Sequence, residues 1–348
     1  MMALTGSRTR RVTARARPAG PAGPVPGLVL AAAGVAAAWL VHRAVPTVPM
    51  LTAAVVLGVA AAHAPWSAPW VRGRCRAGLT LATKRLMRVG IVLLGLKLGL
   101  ADVLGLGWAT VAMVLAVVAA TFCGTWWLGR RLGLPGDQPL LIAAGYSICG
   151  ASAIGAVGSV HDSDDDDVVT SVALVTLCGT LAIAVLPLLH GPLGLTDAEF
   201  GRWVGAGVHD VGQVVATAQT AGPAALGEAV LVKLLRVALL APLVAVLVVS
   251  ARRRGRDAPR SGRPPLVPLF VVGFLAMVAL RSTGLLPAQV LAVAGTAQEL
   301  LLAAALFGLG SAVHLPSLSR TGPKVALLGL TSWVLIAAAA YAGVLLTA

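Results

Sequence analysis

Three short stretches hold the side chains from which chemistry could be built. The first, Gly145-Tyr146-Ser147-Ile148-Cys149-Gly150-Ala151-Ser152-Ala153-Ile154-Gly155, sets two hydroxyls, a thiol and three glycines inside an apolar run. Each glycine costs about 1 kcal/mol relative to alanine in a helix interior, so a helix broken near Cys149-Gly150 is expected. A break exposes main-chain N–H groups at a half-helix N-terminus, where unpaired donors and the helix dipole attract an anion. Close helix packing through small residues is the competing use of the same glycines. The second stretch, Gly207-Val208-His209-Asp210-Val211-Gly212-Gln213, places an acid, an imidazole and an amide in another apolar run. An ionised Asp at mid-membrane costs roughly 2.5–3.5 kcal/mol, so it should face the protein interior beside a partner. In a continuous helix His209 and Gln213, four apart, share a face. This points to a proton relay or coupling-ion site at His209, Asp210 and Gln213, against an interhelical hydrogen-bond network as the alternative.

The third is Lys233 with Arg236, three apart. Snorkelling to an interface is the plain explanation; an electropositive lining for an oxyanion is the sharper one, since Arg suits a forked contact. Farther on, Phe307-Gly308-Leu309-Gly310-Ser311 repeats the small-residue character, and Gly310 and Ser311 are expected at a second helix break. Glu299 could pair with Lys233 or Arg236. The acidic run Asp162–Asp167 lacks the alternating ligands and glycine of a calcium loop and reads as a solvated external loop. Cys75, Cys123, Cys149 and Cys178 show no metal or disulfide spacing. No nucleotide-binding or metalloprotease motif is present, and no cofactor is expected.

The elements that position these residues follow from composition. Of 348 residues, 58% are hydrophobic and 11% charged, with a mean hydropathy of +0.89. Soluble domains carry roughly 25% charged residues. At about 20 apolar residues per span, the chain holds membrane helices and little else, which excludes a separate catalytic, nucleic-acid-binding or disulfide-stapled domain. Residues 1–26, with five arginines and four prolines, form a basic cytoplasmic tail too polar to pack and expected to be disordered. Eleven apolar segments follow, at about 27–45, 48–64, 84–100, 107–129, 138–160, 167–190, 201–221, 228–250, 265–281, 288–313 and 323–346.

With eleven spans and a cytoplasmic N-terminus, 22 of the 27 Lys and Arg fall on the cytoplasmic side. That explains the net charge of +14 without a nucleic-acid partner and places the C-terminus outside. Setting the first helix (27–45) aside leaves five spans over 48–190 and five over 201–346. Five is odd, so the halves cross in opposite senses: an all-α transporter domain over 27–346 built as an inverted repeat. Lys84-Arg85-Leu86-Met87-Arg88-Val89 and Lys233-Leu234-Leu235-Arg236-Val237 open corresponding helices of the two halves.

Four stretches together resemble the sulfate-exporter, or YeiH-type, family of bacterial membrane proteins, over about residues 27–346. They are Lys84-Arg85-Leu86 through Val89-Gly90-Ile91-Val92-Leu93-Leu94-Gly95, Ser147-Ile148-Cys149-Gly150-Ala151-Ser152-Ala153-Ile154, His209-Asp210-Val211 with Gln213-Val214-Val215, and Val232-Lys233 with Arg236 and Leu240-Ala241-Pro242. The resemblance implies a cytoplasmic-membrane transporter with two broken helices crossing in a core that moves against a panel. It implies that Ser147, Cys149, Gly150 and Ser152 form the first broken helix and that His209, Asp210, Gln213, Lys233 and Arg236 face the transport path. Tyr146 stands where a small residue or Thr is usual and would narrow the site.

The expected function is export of a small oxyanion, sulfate or an organosulfonate, coupled to H⁺ or Na⁺. Ser147, Cys149, Gly150, Ser152, Lys233, Arg236, Gly310 and Ser311 would meet the anion; His209, Asp210, Gln213 and Glu299 would couple the ion. Cation:proton antiport at Asp210 is the alternative, opposed by the basic pair. An intramembrane serine protease at Gly150-Ala151-Ser152 with His209 lacks the second glycine such motifs favour, so no enzyme is expected. The expected partners are the anion, the coupling ion, the lipid bilayer and a second copy of the chain in a homodimer.

Overall fold

The computed structural model describes residues 23–46, 48–253, 269–313 and 322–347, and among these the secondary structure is entirely helical. Most of the basic tail, the basic run at 254–263, His314 and Arg320 lie outside the described residues.

The chain opens with α1 (Val25–Ala44) and α2 (Met50–His63). A short α3 (Ala68–Arg72) leads to α4 (Arg76–Leu81), a π turn (Ala82–Leu86) and α5 (Met87–Leu94), which form one helical rod closed by a 3₁₀ turn at Gly95–Lys97. The sequence reading began this span at residue 84; the rod begins at Arg76, so Lys84 and Arg88 are helical residues. After α6 (Leu100–Gly105) come α7 (Gly107–Arg131), α8 (Gln138–Ser147), α9 (Ala151–His161) and α10 (Asp165–His190). Then follow α11 (Asp197–Gly207), α12 (Val211–Ala218), α13 (Gly222–Ala238), α14 (Leu240–Arg253), α15 (Leu269–Ser282), α16 (Ala288–Ser311) and α17 (Pro323–Thr347). Among the described residues six stretches are long and apolar enough to cross a membrane: α1, α7, α10, Val211–Leu247, α16 and α17; α2 and α15 are shorter apolar helices.

Segments 138–160 and 201–221, expected as single crossings, fold back on themselves instead. In the first, the position facing out from Gly145 on α8 meets Ile154 on α9, and that of Gly158 meets Leu141, so the two helices run antiparallel. Their free ends meet as well: Asp167, at the start of α10, accepts from the Asp137 N–H at 3.1 Å and from Gln138 Nε2 at 2.8 Å. Ser163 donates to Asp137 at 2.7 Å. The second hairpin is set by α11 and α13, which run parallel: Gly201 packs on Ala225 and Gly205 on Ala229, and Arg202 pairs with Glu228 at 3.1 Å. α12, between them, must therefore run back. Each limb has 8 to 11 residues, about 12–16 Å, close to half of a hydrocarbon core about 30 Å thick.

α10 links the two hairpins. It has 26 residues, about 39 Å, and the hairpins open at its opposite ends, the first beside Asp167 and the second beyond His190. Both tips reach its middle: Gly150 packs on Val175, and Gln213 donates to the Thr176 carbonyl at 3.0 Å. Asp165–Asp167, expected in a solvated loop, form the first turn of α10, where carboxylates offset the positive end of the helix dipole.

The helices sort into two bundles. One holds α1 to α6 with α15 and α16; the other holds α7 to α14 with α17 and so contains both hairpins. Their chief contact is the α12 limb and its following turn against α2 and α16, where Gln219 donates to Thr52 at 3.1 Å. α16 is continuous through Gly308-Leu309-Gly310, so the break expected there is absent. Those glycines serve contact: Gly310 lies against the Val55 carbonyl of α2, and Gly308 against Thr83 in the π turn.

Candidate functional site

The site is built where the two hairpin tips face each other. At the first tip, α8 ends at Ser147 and α9 starts after Gly150, whose φ of +67° and ψ of −129° suit glycine alone. At the second, α11 ends at Gly207 and α12 starts after Asp210. A limb that enters the membrane ends there with unpaired carbonyls, and a limb that leaves begins there with unpaired N–H groups. The tips therefore present two negative and two positive helix ends at mid-depth, and these must be separated and matched.

Lys233 and Arg236 match the negative ends. Both are fully buried on α13. Lys233 Nζ donates to the Ile148 carbonyl at 2.6 Å and the Val208 carbonyl at 3.0 Å. Arg236 donates to Tyr146 (2.9 Å) and Ser147 (2.8 and 3.2 Å) at the end of α8, and to Gly205 (3.2 Å), Ala206 (2.7 Å) and Val208 (3.0 Å) at the end of α11. These two cations fasten the tips together by satisfying orphan carbonyls. They neither snorkel nor line the cavity described next. The carbonyls of the two helix termini engage all three nitrogens of Arg236 and two of the three N–H donors of Lys233.

The positive ends face a cavity of about 880 Å³ between the two bundles. Gly150, Ala151 and Ser152 line it from the first tip, and His209, Asp210, Val211, Gly212 and Gln213 from the second. The two N-termini differ. Asp210 caps α12: its carboxylate accepts from the Gly212 N–H at 2.8 Å, and Gln213 Oε1 accepts from the Asp210 N–H at 3.2 Å. No side chain caps α9. His209 is completely buried, lines the cavity, and stands edge-on to Tyr146 with ring centroids 4.3 Å apart. Neither of its ring nitrogens has a side-chain or main-chain partner in hydrogen-bond geometry. Because the helix breaks at 208–210, His209 and Gln213 do not share a helix face; the Gln213 amide serves the cap and Thr176.

Other expected residues are placed as follows. Ser147 and Cys149 are buried behind the tip and do not line the cavity; the Ser147 hydroxyl donates to Ala144 at 3.3 Å. Tyr146 does not narrow the cavity, because its hydroxyl donates to the Gly329 carbonyl of α17 at 2.9 Å. Ser311 lines the cavity and Gly310 does not. Glu299 pairs with neither buried cation: it is half-exposed and sits 3.0 Å from Lys97.

Sequence reasoning missed the opposite wall. Arg72, Arg76, Lys84 and Arg88 all line the cavity, with Thr80 and Thr83 between them. Counted on the cytoplasmic side by the charge rule, with only Lys84 and Arg88 placed at the opening of a helix, they lie on α3, α4, the π turn and α5. Their signal was the i, i+4 spacing of 76, 80, 84 and 88, which a helix beginning at Arg76 would have revealed.

Comparison with known proteins agrees with a membrane chain of this kind. The model of the family described as Conserved hypothetical protein 698 matches residues 26–329. A UPF0324 membrane protein of Corynebacterium glutamicum is 44% identical over 322 residues, which is 92% of each chain. One from Ralstonia nicotianae is 34% identical over 88% of both chains. The UPF0324 membrane protein TauZ of Paracoccus denitrificans is 35% identical, over 76% of this chain and 79% of its own. No solved structure matches. The chain belongs to the UPF0324 family of membrane proteins, the YeiH-type family that its motifs resemble.

Proposed function

We propose that the chain is a secondary transporter of a small oxyanion, sulfate or an organosulfonate, across the cytoplasmic membrane, working as an exporter rather than an enzyme. One observation carries this reading: an uncapped helix N-terminus at Ala151-Ser152 and four basic side chains face the same cavity. The anion sits against the Ala151 and Ser152 N–H groups with the Ser152 hydroxyl, where donors and dipole act together. His209, its ring buried against Tyr146 behind the second tip, stands next to Asp210 in the chain as a candidate relay. Asp210 holds or repels charge beside the anion and is the place where an H⁺ or Na⁺ is coupled.

Transport then moves the hairpin bundle past the other bundle, a rigid-body change that the sparse contact between them favours. In this reading the inverted relationship lies in two hairpins inserted from opposite sides rather than in two sets of five crossings. Replacing two crossings by two hairpins moves only Arg202 among the basic residues to the other side. A cytoplasmic N-terminus and external C-terminus therefore still satisfy the charge rule, and Asp162–Asp167 become cytoplasmic. This orientation places Arg72 and Arg76 of the cavity lining on the cytoplasmic side.

The test is thermal stability of purified protein against sulfate, sulfite, taurine, sulfoacetate and chloride at two pH values, followed by flux in liposomes. A shift with an oxyanion supports the reading, since a ligand of the folded state raises the melting temperature by mass action. A shift with Na⁺ or pH alone, and none with any anion, replaces it with cation:proton antiport at Asp210.

A further inference from the structure

The cavity has two unlike walls, and they belong to different bundles. The hairpin tips with their N–H groups lie on one; Arg72, Arg76, Lys84 and Arg88 lie on the other. Among the described residues none of the four basic side chains forms an ion pair, and all four are exposed. Arg72 is fixed by a 2.9 Å bond from Nη2 to the Ala62 carbonyl. The remaining three recur every fourth residue or multiple of it along one rod. Steps of four overrun the 3.6-residue turn, so such a row drifts around an α-helix. The wider π turn at Ala82–Leu86 offsets that drift. It keeps Lys84 and Arg88 facing the cavity with Arg76. Packing supports the distortion, because Gly308 of α16 has no side chain where Thr83 sits. Among the described residues the only acidic one lining the cavity is Asp210, so their side chains leave the lining net positive.

We infer that Arg72, Arg76, Lys84 and Arg88 form an anion-capture wall that serves one face of the membrane only. The inference rests on the anion-transport reading and adds sidedness to it. Because the wall stands on the bundle without the hairpins, it does not travel with the anion. It concentrates anions at the cavity face and is left behind when the tips turn to the other side. Cations lining a low-dielectric cleft raise local anion concentration and association rates by about 10- to 1000-fold, and salt suppresses this steeply. The contacts at the tips are short and enclosed, and salt affects them far less. Capture on one face therefore lowers the apparent KM there and not on the opposite face.

The experiment compares the full-length protein with Lys84→Gln/Arg88→Gln in two ways, with radiolabelled sulfate and sulfoacetate as probes. First, binding is titrated in detergent from low to high sodium chloride. The double variant is expected to bind about tenfold more weakly at low salt and to converge with wild type at high salt. Second, flux is measured in vesicles of a single orientation. The variant is expected to raise KM several-fold for anion supplied from the Arg72 face while leaving KM from the opposite face unchanged. Equal affinity of the two proteins at low salt overturns the inference, as does a deficit that persists at high salt or an equal KM change from both faces. Failure of wild type itself to bind either anion overturns the transport reading instead, and this inference with it. A circular-dichroism melt of the variant matching wild type separates these results from misfolding.

Discussion

Arg236 donates twice to a single carbonyl, that of Ser147, at 3.2 Å from Nε and 2.8 Å from Nη2. Of the other bonds of the same guanidinium, one goes to the Tyr146 carbonyl of α8 and the rest reach across to the Gly205, Ala206 and Val208 carbonyls at the end of α11, so one planar side chain spans the ends of two helices. The flat five-donor fork of Arg236 reaches the carbonyls of Tyr146, Ser147, Gly205, Ala206 and Val208 together, where the ammonium of Lys233 reaches those of Ile148 and Val208. Arg236→Ala strands carbonyls of Tyr146, Ser147, Gly205 and Ala206. Breaking a buried charged network of this kind costs about 3–5 kcal/mol, so the melting temperature in detergent should fall sharply, and Arg236→Lys should recover part of it. A variant with wild-type melting but lost anion binding would instead assign Arg236 to the substrate.

Gly150 turns the first tip at φ +67°, and a Cβ there would have room, with Val175 at 3.6 Å and His209 at 3.9 Å. The objection to a side chain is backbone strain alone, on the order of 1–3 kcal/mol for a residue held in a sparsely populated region. Gly150→Ala is therefore expected to leave the protein folded and modestly less stable, while shifting the Ala151 and Ser152 N–H groups and weakening anion binding more than stability. Equal losses in both, measured on one preparation, would mean that the tip is merely structural.

The two hairpin tips and the Lys233–Arg236 pair were legible in the sequence; their division of labour and the basic wall from Arg72 to Arg88 were not. Glycine-rich Gly145–Gly155 marked the first break because glycine tolerates a backbone that other residues resist. His209-Asp210 marked the second only as buried polarity, since Val208 and Val211 on either side look like ordinary membrane helix. Hydropathy could not separate a hairpin from a crossing: two limbs of about eleven apolar residues give the same profile as one span. The charge rule was equally blind, because exchanging two crossings for two hairpins restores the sidedness of everything downstream. Lys233 and Arg236 were recognised as important, but their targets, carbonyls 25 to 90 residues away, have no signature in residue type. Gly308-Leu309-Gly310 misled in the other direction, because small residues serve tight helix contact as readily as breaks.

Asp167 ties the open end of the first hairpin shut by accepting from the Asp137 N–H and from Gln138 Nε2. Asp167→Ala leaves both donors without their acceptor, at about 1–3 kcal/mol where they are shielded from water. Hydrogen exchange should then accelerate across 138–161 with less change in α7 and α17. If exchange rises uniformly over the whole bundle, the hairpin does not open as a unit.

Asp210 offers the sharpest test of coupling, because one atom separates its two roles. As Asn it can still accept from the Gly212 N–H and cap α12, so the hairpin keeps its shape. What disappears is the negative charge, which in the wild type repels an anion bound at the neighbouring α9 N-terminus whenever the carboxyl is ionised. Asp210→Asn is therefore expected to bind the anion more tightly than wild type with a nearly unchanged melting temperature, and its anion flux should no longer respond to Na⁺ or to a proton gradient. Unchanged anion affinity, with flux that still responds to either ion, would remove Asp210 from the coupling site.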